Sequence, residues 1–274
     1  MLQSPLPILV QGLFVRGWWR EYSMPHQRFW VTTRDGVALR GVHLRGGKDT
    51  LLVYCHGFLS SKNFITVPHF LELLAEEADV IAFDFRGHGE SEGESTLGER
   101  ELLDVDAVLD YARGVAYRRV FLIGSSMGGA VAIRYAASSS ALSGVVTIGA
   151  FARGEFSFAA ERALKFFDWQ VTHSVVRAAR RTRVASIALP SAPIEVVQRI
   201  SPRPLLLIHG RLDPLVPVRH AHELYARARE PKKLIVIPRG SHDIPNLNRR
   251  TKEWIVDWIE ETDRLEGQCS TGKN

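Results

Sequence analysis

The sequence predicts an α/β protein built on a mostly parallel sheet, and three patterns support this fold class. Continuous apolar runs of strand length alternate with segments that carry apolar residues at helical spacing. Asp35-Gly36 joins the first two strand-like runs, which is typical of a hairpin. A Gly-x-Ser-x-Gly sequence at 124–128 separates a buried type of strand from a helix. We therefore expect an antiparallel pair that opens a mainly parallel sheet with helices on both faces.

The expected elements follow one another in a regular order. Strands are predicted at 29–33, 37–44, 51–55, 80–85, 119–123, 143–149, 204–208 and 233–237. Helices are predicted at 64–78, 97–116, 130–137, 219–229 and 248–265. The run at 51–55 is apolar throughout, as expected of a strand that is covered on both faces.

The length and composition indicate one large domain with an insertion. The chain has 274 residues, of which 45% are hydrophobic and 24% charged, and these are globular values. The core is predicted at 28–150 and 203–264. No strand pattern occurs at 151–202, which we interpret as a small helical cap insertion. Residues 1–27 form an N-terminal segment, and 265–274 are expected to be a disordered tail.

Charge and cysteine content exclude several classes of function. The net charge of +5 allows weak attraction to anionic surfaces, but the arginines are spread along the chain and no nucleic-acid recognition motif occurs. The two cysteines, Cys55 and Cys269, form no disulfide framework, so a reducing, cytoplasmic compartment is expected. The oligomeric state is not predicted.

An apolar stretch at 6–15 is followed by Trp18 and Trp19. It is too short to span a bilayer and lacks the charge arrangement of a signal peptide. We expect it to pack on the body of the protein. Weak contact of residues 6–19 with a membrane surface is the alternative.

The Gly-x-Ser-x-Gly turn predicts a nucleophile at Ser126. In a strand–turn–helix arrangement the central serine stands at a strained elbow with its hydroxyl exposed. Gly124 and Gly128 are needed because side chains there would collide where strand and helix pack closely. The backbone N–H of Met127, at the start of the helix, is a natural donor to an oxyanion. Ser125 is the rival nucleophile, but it does not occupy the central position.

The acid and the base are expected at later strand ends, because ligands of parallel sheets bind at the carboxyl ends of the strands. Asp213 follows the strand at 204–208, and His242 follows the strand at 233–237. His242 would take the proton of the serine hydroxyl, and Asp213 would orient the imidazole and stabilise its cation.

Alternatives remain at both positions. Asp213 precedes Pro214 and is also typical of a turn residue, and Glu155 is a weaker candidate for the acid. His242 is also compatible with a capping role in a loop. Asp243 beside it is better explained as a turn or cap carboxylate than as the acid.

A second oxyanion donor is expected in the loop after the strand at 51–55. The Phe58 N–H fits, because Gly57 allows the chain to turn close to the nucleophile. His56 is expected to support this loop through hydrogen bonds, and Arg86 and His88 are read as turn-fixing residues. The histidines lack metal-ligand spacing and no nucleotide-binding loop occurs, so we expect no metal and no cofactor.

Aromatic residues are concentrated in the predicted insertion. They are candidates for core packing and, as a group, for the roof of a substrate pocket. They are Phe156, Phe158, Phe166, Phe167 and Trp169.

Five motifs, in this order along residues 28–262, resemble those of the α/β-hydrolase superfamily. They are the sequences at 56–58, 84–91, 124–129, 209–217 and 240–242. The chain is similar, more narrowly, to the group of serine aminopeptidases and monoacylglycerol lipases, which includes esterases and lysophospholipases. The resemblance implies Ser126 as nucleophile, Asp213 as acid and His242 as base, with Phe58 and Met127 as backbone oxyanion donors.

Departures from the superfamily's subtypes narrow the expected chemistry. No His-Gly-Gly-Gly run occurs, which disfavours the hormone-sensitive-lipase type, and Ser126 replaces the aspartate of dehalogenases and epoxide hydrolases. We expect hydrolysis of a small-molecule carboxylic ester with an apolar acyl or alcohol group. The alternatives are a thioesterase, a lysophospholipase or monoacylglycerol lipase, or a peptidase with the same triad. A non-catalytic binding protein is disfavoured because all three triad residues are present.

Overall fold

An eight-stranded sheet forms the centre of the molecule in a computed structural model. The model describes residues 19–154, 182–185, 192–242 and 246–271, with side chains as far as residue 264. The strands are β1 (Gln27–Thr32), β2 (Ala38–Leu44), β3 (Thr50–Cys55), β4 (Asp79–Phe83), β5 (Arg119–Ser125), β6 (Gly144–Ile148), β7 (Leu205–Gly210) and β8 (Lys232–Ile237). Their order across the sheet is β1-β2-β4-β3-β5-β6-β7-β8.

The strand directions confirm the predicted mixed sheet. β1 pairs antiparallel with β2, and β2 pairs antiparallel with β4. Every later pair is parallel, and β3 and β5 lie at the centre. The carboxyl ends of β5, β6, β7 and β8 therefore meet at one edge, where the side chains that follow these strands can approach one another.

Helices cover both faces of the sheet. They are α1 (Val67–Ala75), α2 (Glu101–Ala112), α3 (Met127–Ser138), α4 (Pro193–Val196), α5 (Arg219–Arg227) and α6 (Arg249–Thr271). Apolar residues of α2, α3 and α5 belong to the core on one face, and those of α1 and α6 to the core on the other. β3, β4, β6 and β7 are buried along their whole length, as strands between two helical layers must be.

Several element limits differ from the expected ones for local physical reasons. β4 ends at Phe83 because the carboxylate of Asp84 accepts the N–H groups of Lys62 and Glu90, which starts a turn. α2 begins only at Glu101, whose carboxylate accepts the N–H of Gly98 in the preceding turn.

The predicted tail is also different. α6 continues to Thr271, so residues 265–271 are helical where a disordered tail is expected. Adding residues to an existing helix is favourable because each one adds a hydrogen bond without a new nucleation step, and no proline interrupts this segment.

The N-terminal segment and the insertion are only partly described. Trp19 pairs with Phe64 in an antiparallel bridge, and Val184 pairs with Ser95 in a parallel one. Residues 1–18 and 155–181 lie outside the described residues. None of the helices described is both long enough and apolar enough to cross a membrane.

Candidate active site

Ser126 occupies a strained elbow between β5 and α3. Its φ of 50° and ψ of −114° are rare for a residue with a side chain. Two backbone bonds hold this conformation: Ser126 donates its N–H to the Ile148 carbonyl at 2.9 Å, and its carbonyl accepts the Ala130 N–H at 3.1 Å. The strained turn places the Ser126 side chain at the N-terminus of α3, where partial positive charge favours an anion.

Two glycines allow the elbow to pack closely against its neighbours. A Cβ on Gly128 would overlap the backbone carbonyls of Cys55 and His56 at the end of β3. A Cβ on Gly124 would overlap the backbone of Gly128 in the same way. The first turn of α3 therefore lies directly against the end of β3, where the loop that carries Phe58 begins.

Three side chains from three strand ends form a continuous hydrogen-bonded relay. His242 Nε2 lies 3.0 Å from Ser126 Oγ, and His242 Nδ1 lies 2.6 Å from Asp213 Oδ2. The carboxylate of Asp213 is fully buried, and the imidazole of His242 is 16% exposed. This geometry allows the imidazole to accept a proton from the serine hydroxyl while the carboxylate fixes its orientation.

The carboxylate of Asp213 is fixed independently of the histidine. Its Oδ1 accepts the N–H groups of Leu215 at 2.9 Å and Val216 at 2.8 Å. The other oxygen is thus directed toward His242 by the shape of its own loop.

The ends of β7 and β8 pack closely. This packing brings the loop that carries Asp213 next to the loop that carries His242. A Cβ on Gly210 would overlap the backbone of Gly240 and Ser241. The Leu212 N–H also donates to the Gly240 carbonyl at 2.9 Å. The two loops are therefore held together by backbone contacts in addition to the hydrogen bond between the Asp213 and His242 side chains.

His209 is a further residue at this centre to which the sequence assigned no role. It lies at the end of β7 with 1% exposure, and its Nε2 donates to the Val216 carbonyl at 2.8 Å. The same nitrogen is 3.5 Å from Asp213 Oδ2. Burial lowers the pKa of His209, so a neutral imidazole lies beneath the carboxylate. Its signal in the sequence is a polar residue inside an otherwise apolar strand.

The predicted oxyanion donors lie on either side of the close contact between β3 and α3. Within the described part of the chain, neither the Phe58 N–H nor the Met127 N–H donates a hydrogen bond. His56 is fully buried beneath the loop, where its Nδ1 donates to the Gly57 carbonyl at 2.7 Å and its Nε2 accepts the Phe85 N–H at 2.9 Å. Burial lowers the pKa of His56 to about 3, so this support is neutral.

Of the rival residues and the residues of the predicted pocket, the structure describes Ser125 alone. Ser125 is fully buried, and its hydroxyl has no hydrogen-bond partner among the residues described. Glu155 and Asp243 lie outside the described residues. So do the aromatic candidates for the pocket, namely Phe156, Phe158, Phe166, Phe167 and Trp169. In the described part of the chain no cluster of three or more His, Cys, Asp or Glu side chains could hold a metal.

A family model and several relatives match this chain. Residues 52–257 match a family described as the alpha/beta hydrolase family. The uncharacterized protein YfhR of Escherichia coli (strain K12) is 29% identical over 244 residues, which is 83% of this chain and 78% of YfhR. The uncharacterized protein YqkD of Bacillus subtilis (strain 168) is 26% identical over 248 residues, covering 83% of this chain and 76% of YqkD.

Solved structures show the same fold. The Pyrococcus furiosus esterase Pf2001 superposes with a TM-score of 0.70 at 27% identity, over 88% of this chain and 92% of the esterase. The esterase RhEst1 from Rhodococcus sp. ECU1013 superposes with a TM-score of 0.68 at 22% identity, over 85% of this chain and 98% of RhEst1, and at this identity the likeness concerns the fold.

Proposed function

Because the chain belongs to the α/β hydrolase family, we propose that it is a serine hydrolase that cleaves carboxylic esters through an acyl-enzyme. The observation that carries the proposal is the relay from Ser126 through His242 to Asp213, with contacts of 3.0 and 2.6 Å. The likeness to the Pyrococcus furiosus esterase supports an ester as the substrate.

The first half of the reaction forms the acyl-enzyme. Ser126 Oγ attacks the ester carbonyl carbon while its proton passes to His242 Nε2, and the carbonyl oxygen becomes an oxyanion. The Met127 and Phe58 N–H groups stabilise that oxyanion. The tetrahedral intermediate then breaks its bond to the alcohol oxygen, which leaves with the proton from His242.

The second half returns the enzyme to its starting state. Water attacks the acyl carbon and gives one proton to His242, and the second tetrahedral intermediate releases the carboxylic acid as Ser126 recovers its proton. Asp213 stays ionised throughout and holds the imidazole in the tautomer with hydrogen on Nδ1.

Two exposed apolar residues of the loop that carries Asp213 support an apolar group in the substrate. Leu212 is 63% exposed and Leu215 is 36% exposed, and the two residues stand on either side of Asp213 in the chain. Large exposed apolar side chains beside a buried carboxylate fit an acyl or alcohol chain better than a charged group. The aromatic residues of the insertion are proposed to add to this surface.

Hydrolysis of p-nitrophenyl esters of graded acyl length tests the proposal. Ser126→Ala is expected to reduce turnover by about three to six orders of magnitude, since it removes the nucleophile. Ser125→Ala is the matched control, because it removes a buried neighbouring hydroxyl that contacts no described partner, and it should keep nearly full activity.

The outcome that overturns the assignment is a Ser126→Ala enzyme that keeps most of the wild-type rate. A wild type that hydrolyses thioesters or peptides but no oxygen ester would retain the triad and change the substrate class. Mass spectrometry after treatment with a fluorophosphonate should place the adduct on Ser126.

A further inference from the structure

The loop at 57–64 connects β3 to α1 and carries one of the two proposed oxyanion donors, the Phe58 N–H. We refer to it as the oxyanion loop. Leu59, directly after Phe58, has a φ of 61°, in the left-handed region that side-chain-bearing residues rarely adopt. The Phe58 N–H lies one peptide group before this turn, so a restraint on Leu59 also restricts the position of the donor.

His88 provides that support from the turn after β4. Its side chain is fully buried, and its Nε2 accepts the Leu59 N–H at 3.3 Å. Its Nδ1 donates to the Arg86 carbonyl at 3.0 Å. The Phe58 ring meets the His88 ring edge-on, with centroids 5.7 Å apart. One imidazole therefore contacts both Phe58, whose N–H is the proposed donor, and Leu59, which follows it.

These two hydrogen bonds define the tautomer. An Nε2 that accepts from Leu59 carries no hydrogen, so the hydrogen is on Nδ1, where the Arg86 carbonyl receives it. Burial lowers the pKa of His88, which keeps the ring neutral and the acceptor available.

The turn that carries His88 is held by other groups. The Asp84 carboxylate accepts the Glu90 N–H at 2.9 Å, and the Ser91 hydroxyl donates to the Asp84 carbonyl at 2.6 Å. Arg86 is bound to Asp104 and Asp35. Substitution of His88 should therefore leave the turn that carries it in place and release the oxyanion loop.

We propose that His88 is a positioning residue that aims the Phe58 N–H at the oxyanion by holding Leu59 in its left-handed conformation. The proposal rests on the proposed function for its kinetic consequence. The described contacts of His88 are with Leu59, Arg86 and the rings of Phe58 and His56 rather than with the relay, so its effect should fall on transition-state stabilisation rather than on proton transfer.

Two substitutions separate the two hydrogen bonds of the ring. In His88→Asn the side-chain amide can donate to the Arg86 carbonyl but cannot reach Leu59. In His88→Gln the longer side chain places an amide oxygen near the position of Nε2, where it can accept the Leu59 N–H.

The kinetic expectation differs between them. His88→Asn should lower kcat by about 10- to 100-fold, somewhat less than complete loss of one oxyanion donor, with KM changed by less than about two-fold. A trifluoromethyl ketone, which forms a tetrahedral adduct with the nucleophile, should bind more weakly by a similar factor. His88→Gln should recover most of both losses.

Amide hydrogen exchange supplies a readout that needs no activity. Mass spectrometry of peptides from 57–64 should show faster exchange in His88→Asn than in wild type, with His88→Gln close to wild type. Peptides from α2 serve as the internal reference for global stability, and their exchange should not change.

Each outcome decides between the possibilities. The positioning role is overturned if His88→Asn folds and has the kcat and the amide exchange of wild type. It is also overturned if kcat falls as far in His88→Gln as in His88→Asn. Should His88→Asn fail to fold, the His88→Gln enzyme decides alone: near wild-type kcat and exchange support the role, and a loss of more than about ten-fold overturns it. A wild type that neither hydrolyses esters nor reacts with a fluorophosphonate contradicts the proposed function, and the exchange result then decides the role of His88 separately.

Discussion

The ammonium group of Lys62 lies 2.6 Å from Asp84 Oδ2, although both side chains are fully buried. The Lys62 N–H donates to the other carboxylate oxygen at 2.8 Å, and the ammonium also contacts Glu90 at 2.7 Å. Burial alone would raise the pKa of Asp84, but the positive charge of Lys62 opposes it and the pKa is lowered. This pair joins the end of the oxyanion loop to the turn that follows β4.

Removal of the Lys62 charge should destabilise the protein strongly. Lys62→Met keeps the length of the apolar stem but leaves the Asp84 carboxylate buried without its partner. We expect a loss of about 3–5 kcal/mol in the free energy of unfolding, measured by urea denaturation.

Lys233→Met is the matched control for this substitution. Lys233 pairs with Glu261 at 2.8 Å, but the two side chains are 43% and 46% exposed. Lys233→Met should therefore lower the free energy of unfolding by at most about 1 kcal/mol. Equal effects of the two substitutions would contradict the structural role given to the buried pair.

Gly128→Ala should damage both stability and turnover. The added Cβ would meet the Cys55 and His56 carbonyls, so α3 has to move away from β3, and the two N–H groups proposed to bind the oxyanion separate. Overpacking of this kind typically costs about 1–3 kcal/mol. Thermal unfolding and ester hydrolysis measure the two effects.

Gly114→Ala is the control for the losses of stability and turnover expected in Gly128→Ala. A Cβ there would have only an ordinary contact, 3.5 Å from the Tyr111 carbonyl oxygen. Its stability and kcat should stay near wild type. A Gly128→Ala enzyme that behaves the same way would show that the close approach is not required.

The thiol of Cys55 should be unreactive in the native protein. Burial raises the pKa of Cys55, so the reactive thiolate is scarcely populated, and the side chain is fully buried in β3. In a Cys269→Ser variant, Ellman's reagent should react only at the rate of unfolding, and rapidly in denaturant. Fast modification without denaturant would contradict the buried position.

Stability should decrease as the pH falls below about 6.5, the usual pKa of histidine in an unfolded chain. Burial lowers the pKa of His43 to about 4 and that of His56 to about 3. The unfolded chain therefore binds more protons between these values and pH 6.5. In this pH range each of the two histidines changes the free energy of unfolding by up to about 1.4 kcal/mol per pH unit. The stabilisation is complete above about pH 6.5, where the unfolded chain no longer binds the extra proton.

Urea denaturation across this pH range measures the slope. His43→Gln should make the pH dependence shallower by the share of one histidine, whatever its effect on stability at neutral pH. His26→Gln is the control, because His26 is only partly buried, and its contacts are the Met24 carbonyl and the Tyr22 ring. An unchanged slope in His43→Gln would contradict a neutral, buried His43.

The fold could be predicted because its signals are local in the sequence. Buried strands, the Asp35-Gly36 hairpin and the Gly-x-Ser-x-Gly turn each specify their own geometry. Ser126, Asp213 and His242 could then be selected as neighbours, since parallel strands end at a common edge. Their individual roles rest on that geometry and await the measurements proposed above.

Other features depend on contacts between distant segments and leave little trace in the sequence. The burial of Lys62 depends on Asp84 and Glu90. The burial of His209 depends on the loop after β7, which contacts it through Asp213 and Val216. Leu59 has no turn-forming character of its own, and its left-handed conformation results from its surroundings. The early end of β4 follows from the hydrogen bonds to Asp84, which no strand pattern could indicate.

The register between β6 and β7 has a practical consequence for engineering. These neighbouring strands are paired directly, Val145 with Leu205 and Ile148 with Ile208. The chain leaves the sheet after Ile148, beside the elbow, and returns to the adjacent strand. Phe151, Val197 and Ile200 of the segment between them pack in the core, so any exchange of this segment has to keep them. Chimaeras that keep these residues should retain the direct pairing of β6 with β7.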